Sequence, residues 1–132
     1  EATLRAIFAA WKFDKSSADQ LYQVQLSLIR YEPTIEAPAW PSPVAPQQDM
    51  VDGAIVLLHR TPNLVGGLSR IYGLNRRPLV EVDLKVGDVL FVEDRTVLHQ
   101  VTPLMLEPGP EWALGTRAYR DVMLVRFQAV GR

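Results

Sequence analysis

The first regular pattern of apolar positions along the chain has the period of an α-helix. Within residues 2–12, "ATLRAIFAAWK", the apolar side chains follow the i, i+3, i+4, i+7 spacing that gathers them on one helical face: Leu4, Ile7, Phe8 and Trp11. Ser16 or Ser17 can cap a short second helix that runs to about Tyr22. The pattern therefore predicts an N-terminal part made of helices.

Beyond that point the period changes to the two-residue alternation of a β-strand. Residues 22–31, "YQVQLSLIRY", alternate polar and apolar, which predicts a half-buried strand. The next stretch, 32–46, is dense in proline and predicts a loop. Short apolar runs between turn residues then predict further strands over 54–59, 68–72, 79–84, 89–92, 97–101 and 121–128. Short strands joined by such turns favour a sandwich or a barrel.

Length and composition limit the classes of protein that the chain can represent. Its 132 residues suit one domain, with a helical part over 1–21 and a β core over 22–132. A formal net charge of −1 offers no strong field to nucleic acid or to an anionic membrane, so neither is an expected partner. The absence of cysteine excludes disulfides, zinc–thiolate sites and thiol nucleophiles, and suits a bacterial cytoplasm.

Three side chains near strand ends are candidates for chemistry. Asp49 precedes the apolar run 54–58, and His99 closes the strand over 97–101. A carboxylate and a histidine placed in this way are typical of non-haem iron sites, which normally use two histidines and one carboxylate. Taken singly, Asp49 reads as a turn residue and His99 as a structural imidazole. Arg120 opens the last strand, where it either pairs with Asp121 or points inward as a carboxylate clamp.

Three longer stretches together resemble a known family. They are "PSPVAPQQDMVDGAIVLLHRTPNLVGGLSRIY", "VGDVLFVEDRTVLHQVTPL" and "YRDVMLVRF". Over roughly residues 22–129 the chain is similar to the bacterial 2OG-Fe dioxygenases, which include free-amino-acid hydroxylases such as isoleucine 4-hydroxylase, and biofilm-stress relatives. The resemblance implies a cupin-like double-stranded β-helix, or jelly roll. It also implies Fe(II) held by a His-x-Asp…His triad, with 2-oxoglutarate bound through the iron and an arginine.

The resemblance also implies roles for individual residues. Asp49 takes the position of the carboxylate ligand and His99 that of the distal histidine. Arg120 takes the position of the arginine that binds the distal carboxylate of 2-oxoglutarate, with Arg117 as the second candidate in a Gly-x-Arg arrangement. Because these two arginines are three positions apart, on a regular strand they face opposite sides, and only one can point into a barrel.

The chain departs from the family pattern at the metal site and elsewhere. Gln47 stands where the family has the first histidine, and its amide oxygen is a weak ligand that suits Ca²⁺ or Mg²⁺ better than Fe(II). His59 lies ten residues beyond Asp49, about 33 Å along an extended strand, and is too far to substitute. Leu68 replaces a glutamate usual after the Gly-Gly pair. Much of the family's N-terminal region is expected to be absent.

Two functions therefore stay open. The first is an Fe(II)/2-oxoglutarate dioxygenase that hydroxylates a free amino acid or a similar small polar substrate at a degenerate iron site of Asp49, His99 and Gln47. The second is a non-catalytic relative that acts as a partner subunit or as a small-molecule-binding module. A homo-oligomer, or a heteromer with an active paralogue, would cover sheet edges and apolar surface left by a shortened N-terminal region.

Overall fold

Nine β-strands make up the regular structure that a computed structural model gives for the described residues, which are 21–42, 45–46, 48, 51–93, 95–107 and 117–130. The strands are β1 (Tyr22–Tyr31), β2 (Asp52–Arg60), β3 (Leu64–Gly66), β4 (Ser69–Gly73), β5 (Pro78–Val82), β6 (Val89–Val92), β7 (Val97–Val101), β8 (Leu104–Leu106) and β9 (Arg120–Ala129). The helix predicted over 2–12 lies outside the described residues, as does nearly all of the second.

The longer predicted strands agree with the structure, and two short ones were not predicted. β1, β6 and β7 span the same residues as the alternating and apolar runs that predicted them. β3 and β8 have three residues each and pair with one another. Three residues are too few to establish a period of two, so these strands are defined by their tertiary pairing alone.

Four antiparallel strands in the order β1-β9-β2-β6 form the larger sheet, here called the major sheet. Every residue of β1 pairs with β9, from Tyr22 opposite Ala129 to Tyr31 opposite Arg120. β2 pairs with the other edge of β9, with a shift of register between Leu57 and His59. Because residues directly opposite one another point to the same face, this register assigns each side chain to one side of the sheet.

A second layer faces the major sheet. Strands β5-β4-β7 form the minor sheet, and β3-β8 form a separate pair beside it. The proline-rich loop is attached to β8 and β7 of this layer. Ala39 forms a bridge with Leu104, and the Ser42 hydroxyl accepts a hydrogen bond from the backbone N–H of Val101. Ser42 also donates to the carbonyl oxygen of Val101. These contacts bring the loop alongside the end of β7.

The space between the layers is filled by alternate side chains of both sheets. Leu57 and Val122 of the major sheet form a buried cluster with Leu84, and Val82 of the minor sheet packs against it. The arrangement is mainly β and consistent with a β-sandwich of the cupin-like kind. The described residues contain no helix long and apolar enough to cross a membrane.

The Gly66-Gly67 pair makes the sharp change of direction between β3 and β4. Both residues have positive φ angles, 88° and 75°, in the left-handed region that a side chain disfavours. A Cβ on Gly66 would overlap the carbonyl oxygen of Pro103, which is backbone and cannot turn aside. Gly87 has a similar φ of 90°, but a Cβ there would meet no atom within 4 Å.

We therefore expect Gly66→Ala to be far more destabilising than Gly87→Ala. The second change introduces backbone strain alone, about 1 kcal/mol, whereas the first adds a backbone overlap and should cost at least about 3 kcal/mol. Urea unfolding followed by tryptophan fluorescence measures both. Equal losses for the two variants would mean that the close approach of Pro103 is not maintained in solution.

Candidate functional site

A cavity of about 140 Å³ lies between the two layers. It is roughly as large as an engineered cavity of about 150 Å³ that accepts benzene, so its size suits a small metabolite. Most of its wall is apolar, and its polar side chains come from four different parts of the fold: Tyr31, Ser42, His99, Arg120 and Arg126. A mainly apolar pocket with a few convergent polar groups is the usual form of a small-molecule site.

Arg120, the first residue of β9, is the most deeply buried charged residue in the described part of the chain. It is only 2% exposed, and its Nε has no hydrogen-bond partner among the described residues. Burial lowers the pKa of its guanidinium below the ordinary value, and the charge of Arg60 lowers the pKa further, whereas Tyr31 and Asp83 oppose the change. A buried cation without a bonded counter-charge is costly, and an anion entering the cavity would compensate it.

Two side chains flank Arg120 in the same row of the major sheet. Tyr31 of β1 is directly opposite it on one side, and Arg60 of β2 on the other. Arg60 is already engaged, because it donates to the carbonyl oxygens of Gly66 at 2.9 Å and Leu64 at 2.8 Å. Burial raises the pKa of the Tyr31 phenol, and the charge of Arg120 opposes that rise. Tyr31 therefore keeps its O–H as a donor beside a positive charge.

His99 approaches the cavity from the opposite layer. It lies in β7 and pairs with Ile71 of β4. Its side chain is on the face of the minor sheet that also carries Val101 and Ser69. Its imidazole is half-buried and lines the same cavity as Arg120. The fold thus joins two side chains that are 21 positions apart in sequence, through two sheets that have no hydrogen-bonded strand in common.

The other two residues predicted for the metal site, Gln47 and Asp49, lie outside the described residues. Of the described residues before and after them, Ser42 and Val51 line the cavity. Within the described part of the chain, no group of three His, Cys, Asp or Glu side chains is close enough to hold a metal. His99 is the candidate ligand that the structure describes.

The second candidate arginine, Arg117, does not line this cavity. Its guanidinium is exposed and forms a two-point salt bridge with Glu32, with Nε–Oε1 and Nη2–Oε2 distances of 2.7 Å and 2.9 Å. These hydrogen bonds lower the pKa of Glu32. Asp121, the alternative partner considered for Arg120, instead accepts two hydrogen bonds of 2.8 Å from Arg30, which lower its pKa. Of the two arginines predicted from the sequence, Arg120 is therefore the one that lines the cavity.

His59 and Leu68 occupy positions away from the polar side chains of the cavity. The exposed imidazole of His59 stacks on the ring of Tyr119, with 5.2 Å between centroids. The backbone N–H of Leu68 donates to the Thr102 hydroxyl at 2.9 Å, which holds the Gly-Gly turn against the chain that follows β7.

Gly67 allows that turn to pass close to Arg60 and Arg120, since a Cβ there would lie 3.2 Å from Arg60 Nη1 and 3.5 Å from Arg120 Cδ.

Sequence reasoning missed four residues of this site. Tyr31, Ser42, Arg60 and Arg126 surround Arg120 or the cavity, yet none was a candidate for chemistry in the sequence. A signal for Tyr31 exists in hindsight, because it continues the inward-facing alternation of β1 to the strand end. Its partnership with Arg120, however, follows from the β1–β9 register, which cannot be read from either strand alone.

Comparison with known proteins decides the family. A model of the 2OG-Fe dioxygenase family matches residues 2–126, almost the whole chain. The chain belongs to the 2OG-Fe dioxygenase family. None of the curated proteins compared with it matches.

Two solved structures are similar to this member of the family. One is IDO from Bacillus thuringiensis, with 26% identity, a TM-score of 0.81, and a match covering 98% of this chain and 55% of that one. The other is a bsmA homolog from Methylobium petroleophilum PM1, with 21% identity, a TM-score of 0.74, and coverage of 98% and 50%, which supports the fold alone. The chain spans about half the length of each.

Membership of this family indicates which metal and co-substrate to compare with the residues of the cavity. The family as a class uses Fe(II) and 2-oxoglutarate. A buried guanidinium whose Nε has no partner among the described residues, in a mainly apolar cavity, fits a carboxylate of such a dianion, because the charge pair is strongest where water is excluded. On the metal side, His99 is a good ligand for Fe(II), and the remaining donors belong to residues 47 and 49.

We expect Arg120→Met to leave the fold equally stable or to stabilise it by up to about 2 kcal/mol, because it removes a buried charge that has no bonded counter-charge among the described residues and retains much of the side-chain volume. The matched change Arg117→Met removes an exposed salt bridge and should alter the free energy of unfolding by less than about 1 kcal/mol. Urea unfolding without added ligand provides both values. A clear loss of stability in Arg120→Met would show that Arg120 serves the fold rather than a ligand.

Proposed function

We propose that the chain is an Fe(II)/2-oxoglutarate-dependent dioxygenase that hydroxylates a free amino acid or a similar small polar substrate. The observation that carries the proposal is the presence of Arg120, buried and with no partner for its Nε among the described residues, in the same cavity as His99. An arginine aimed at a carboxylate and a histidine able to bind metal are the two anchors that such a co-substrate needs at its two ends.

The residues of the cavity would first bind and orient the co-substrate. The distal carboxylate of 2-oxoglutarate would pair with Arg120, with Tyr31 as a neighbouring O–H donor and Arg60 adding positive potential. The 2-oxo acid end would then be directed toward His99. Valine and leucine side chains line part of this space, and an ion pair formed there would be stronger than one in water.

The metal would be held by His99, Asp49 and Gln47. When bound, Fe(II) with 2-oxoglutarate supplies activation of O₂, coupled to decarboxylation of 2-oxoglutarate to succinate and CO₂. The amide oxygen of Gln47 is a weaker donor than the imidazole of a histidine, so the site would depend on the two strong ligands and on the co-substrate. We infer an iron site of reduced affinity whose occupancy is linked to that of 2-oxoglutarate.

The remaining parts of the proposal rest on the family and the fold. The cupin-like sheets would close as a jelly roll, or double-stranded β-helix, around the cavity. An amino acid as substrate is consistent with the small size of the cavity and its polar groups. The cytoplasm is the proposed location, and a homo-oligomer or a heteromer with an active paralogue the proposed assembly.

One observation favours a second candidate function. Gln47 replaces a strong metal ligand, and loss of such a ligand should cost more than the 10–100-fold typical of a residue that merely supports one. A chain that has lost iron would keep the Arg120 cavity and act as a small-molecule-binding module or as a partner subunit. The two functions differ in whether iron binds at all.

The first test compares iron binding by the chain and by its Gln47→His variant under anaerobic conditions, with and without 2-oxoglutarate. We expect both proteins to bind Fe(II), the variant at least about 10-fold more tightly, and 2-oxoglutarate to tighten binding in both. Equilibrium titration with Fe(II) gives the dissociation constants. Asp49→Ala serves as a control that should abolish binding in either background.

The outcomes separate the two functions. Binding by the chain as it stands, tightened by 2-oxoglutarate, supports the dioxygenase and justifies screening amino acids for succinate release. Binding by the histidine variant alone supports the non-catalytic relative. If neither protein binds iron, Asp49 and His99 do not form one site and the proposal fails.

The second test asks whether Arg120 binds the co-substrate. Calorimetric titration of 2-oxoglutarate should show that Arg120→Met weakens binding by about 100-fold or more, the cost of a charge-assisted pair lost from a buried site, whereas Arg117→Met has no effect. Circular dichroism confirms that both variants are folded. Equal affinities for the two variants would remove the observation on which the proposal depends.

A further inference from the structure

Arg120 lies at the end of the ladders that hold β9 in the major sheet. It is the first residue of β9, and it belongs to the last pair on each side, with Tyr31 of β1 and Arg60 of β2. Strand ends open more readily than strand centres. Opening here would return a buried guanidinium to water, which its charge favours. The ladders alone are therefore a weak restraint on Arg120.

An irregularity in β2 determines which side chains stand beside this strand end. The register with β9 shifts between Leu57 and His59, so that two steps along β2 correspond to one step along β9. Without the shift, His59 would be opposite Arg120. With it, His59 is opposite Asp121, on the outer face of the sheet, away from the cavity. Such bulges re-aim side chains and are frequent near functional sites.

Four side chains meet on the outer face directly behind Arg120. They are here called the outer cluster: Arg30, His59, Tyr119 and Asp121. The guanidinium of Arg30 lies over the Tyr119 ring, with Cζ 4.0 Å from the centroid, and also donates two hydrogen bonds of 2.8 Å to Asp121. The imidazole of His59 stacks on the same ring at 5.2 Å and 25° between planes. The Tyr119 ring thus contacts side chains from β1 and from β2, the two neighbours of β9.

The backbone of Tyr119 is also held. Its N–H donates to the Thr61 hydroxyl at 3.1 Å, and its carbonyl oxygen accepts from the Thr61 N–H at 3.1 Å. Tyr119 is therefore fixed through both backbone and side chain at the position just before Arg120. An exposed salt bridge such as that of Arg30 contributes little alone. Stacking and cation–π contacts to one shared ring add to it.

We propose that Tyr119 is a positioning residue for anion binding at Arg120. With His59 and Arg30 it keeps the start of β9 in place from the outer face, so that the guanidinium on the inner face stays oriented in the cavity. A binding group held in place before the ligand arrives binds more tightly, because less freedom is lost on binding. The effect on 2-oxoglutarate rests on the proposed function, whereas the effect on the mobility of Arg120 does not.

The mobility of Arg120 is the first measurement. In the ¹⁵N-labelled full chain, the Nε–Hε signal of Arg120 is identified by its loss in Arg120→Met, and nitrogen relaxation gives its order parameter. We expect the value of a rigid group, about 0.85, in the unaltered chain and a value below about 0.6 in Tyr119→Ala. Tyr119→Phe keeps the ring and should keep the rigid value.

A second pair of variants tests the same contact from β2. The imidazole of His59 is exposed, so His59→Ala threatens the fold less than Tyr119→Ala and decides the matter if the latter does not fold. It should also mobilise Arg120, whereas His59→Phe retains a ring for stacking and should not. The matched control is Arg70→Met, which removes an exposed salt bridge of 2.7 Å with Glu81 in the minor sheet and should leave Arg120 rigid.

Calorimetric titration of 2-oxoglutarate then measures the consequence for binding. Tyr119→Ala should weaken binding by about 10-fold, and Tyr119→Phe by less than about 2-fold. If the unaltered chain binds no 2-oxoglutarate, the proposed function fails, and the order parameters alone decide this inference.

Four results would overturn the inference. They are a mobile Arg120 in the unaltered chain, a rigid Arg120 in the folded alanine variants, an equal gain of mobility in Arg70→Met, and unchanged 2-oxoglutarate affinity in Tyr119→Ala when the unaltered chain binds it. Mobility that rises in the alanine variants and not in the phenylalanine variants supports it.

Discussion

The rest of the structure depends on strand β9, because it is hydrogen-bonded along both of its edges. β1 pairs with it over ten residues, and β2 pairs with the opposite edge. Its inner side chains form one wall of the cavity, and its outer side chains form the middle of an apolar face. A change in its register by one residue would exchange the two sets, moving Arg120 out of the cavity and Met123 into it.

The energetic cost of this arrangement is concentrated at Arg120. Apolar burial stabilises every other large, nearly inaccessible side chain of β9, whereas Arg120 loses hydration and gains no bonded counter-charge within the described residues. Arg60, its neighbour in the same row, repels the charge of Arg120. Arg60 itself donates hydrogen bonds to two backbone carbonyl oxygens. Residues that are unfavourable for stability are often found at functional sites. The buried charge of Arg120 is such a residue, and it lines the same cavity as His99.

How much of the protein could be predicted differs between the fold and the site. The alternating or apolar segments of β1, β6 and β7 were predicted with their bounds because periodicity is a local property. β3 and β8 were not, because three residues carry no period. In the site, His99 and Arg120 were candidates because of their places near strand ends, and a family resemblance gave them roles. Tyr31, Ser42 and Arg60 were not, because their relation to Arg120 arises from register and loop attachment.

The sequence by itself determined the mainly β character, the family and the residue types available for chemistry, since these depend on local pattern and on motifs. It left Arg117 and Arg120 as alternatives, and the tertiary structure distinguished their surroundings: Arg117 lies in an exposed salt bridge with Glu32, and Arg120 lies inside. Only pairing between distant strands decides which side of a sheet faces the core. That choice sets burial, and burial sets the charge environment in which any ligand of this cavity is bound.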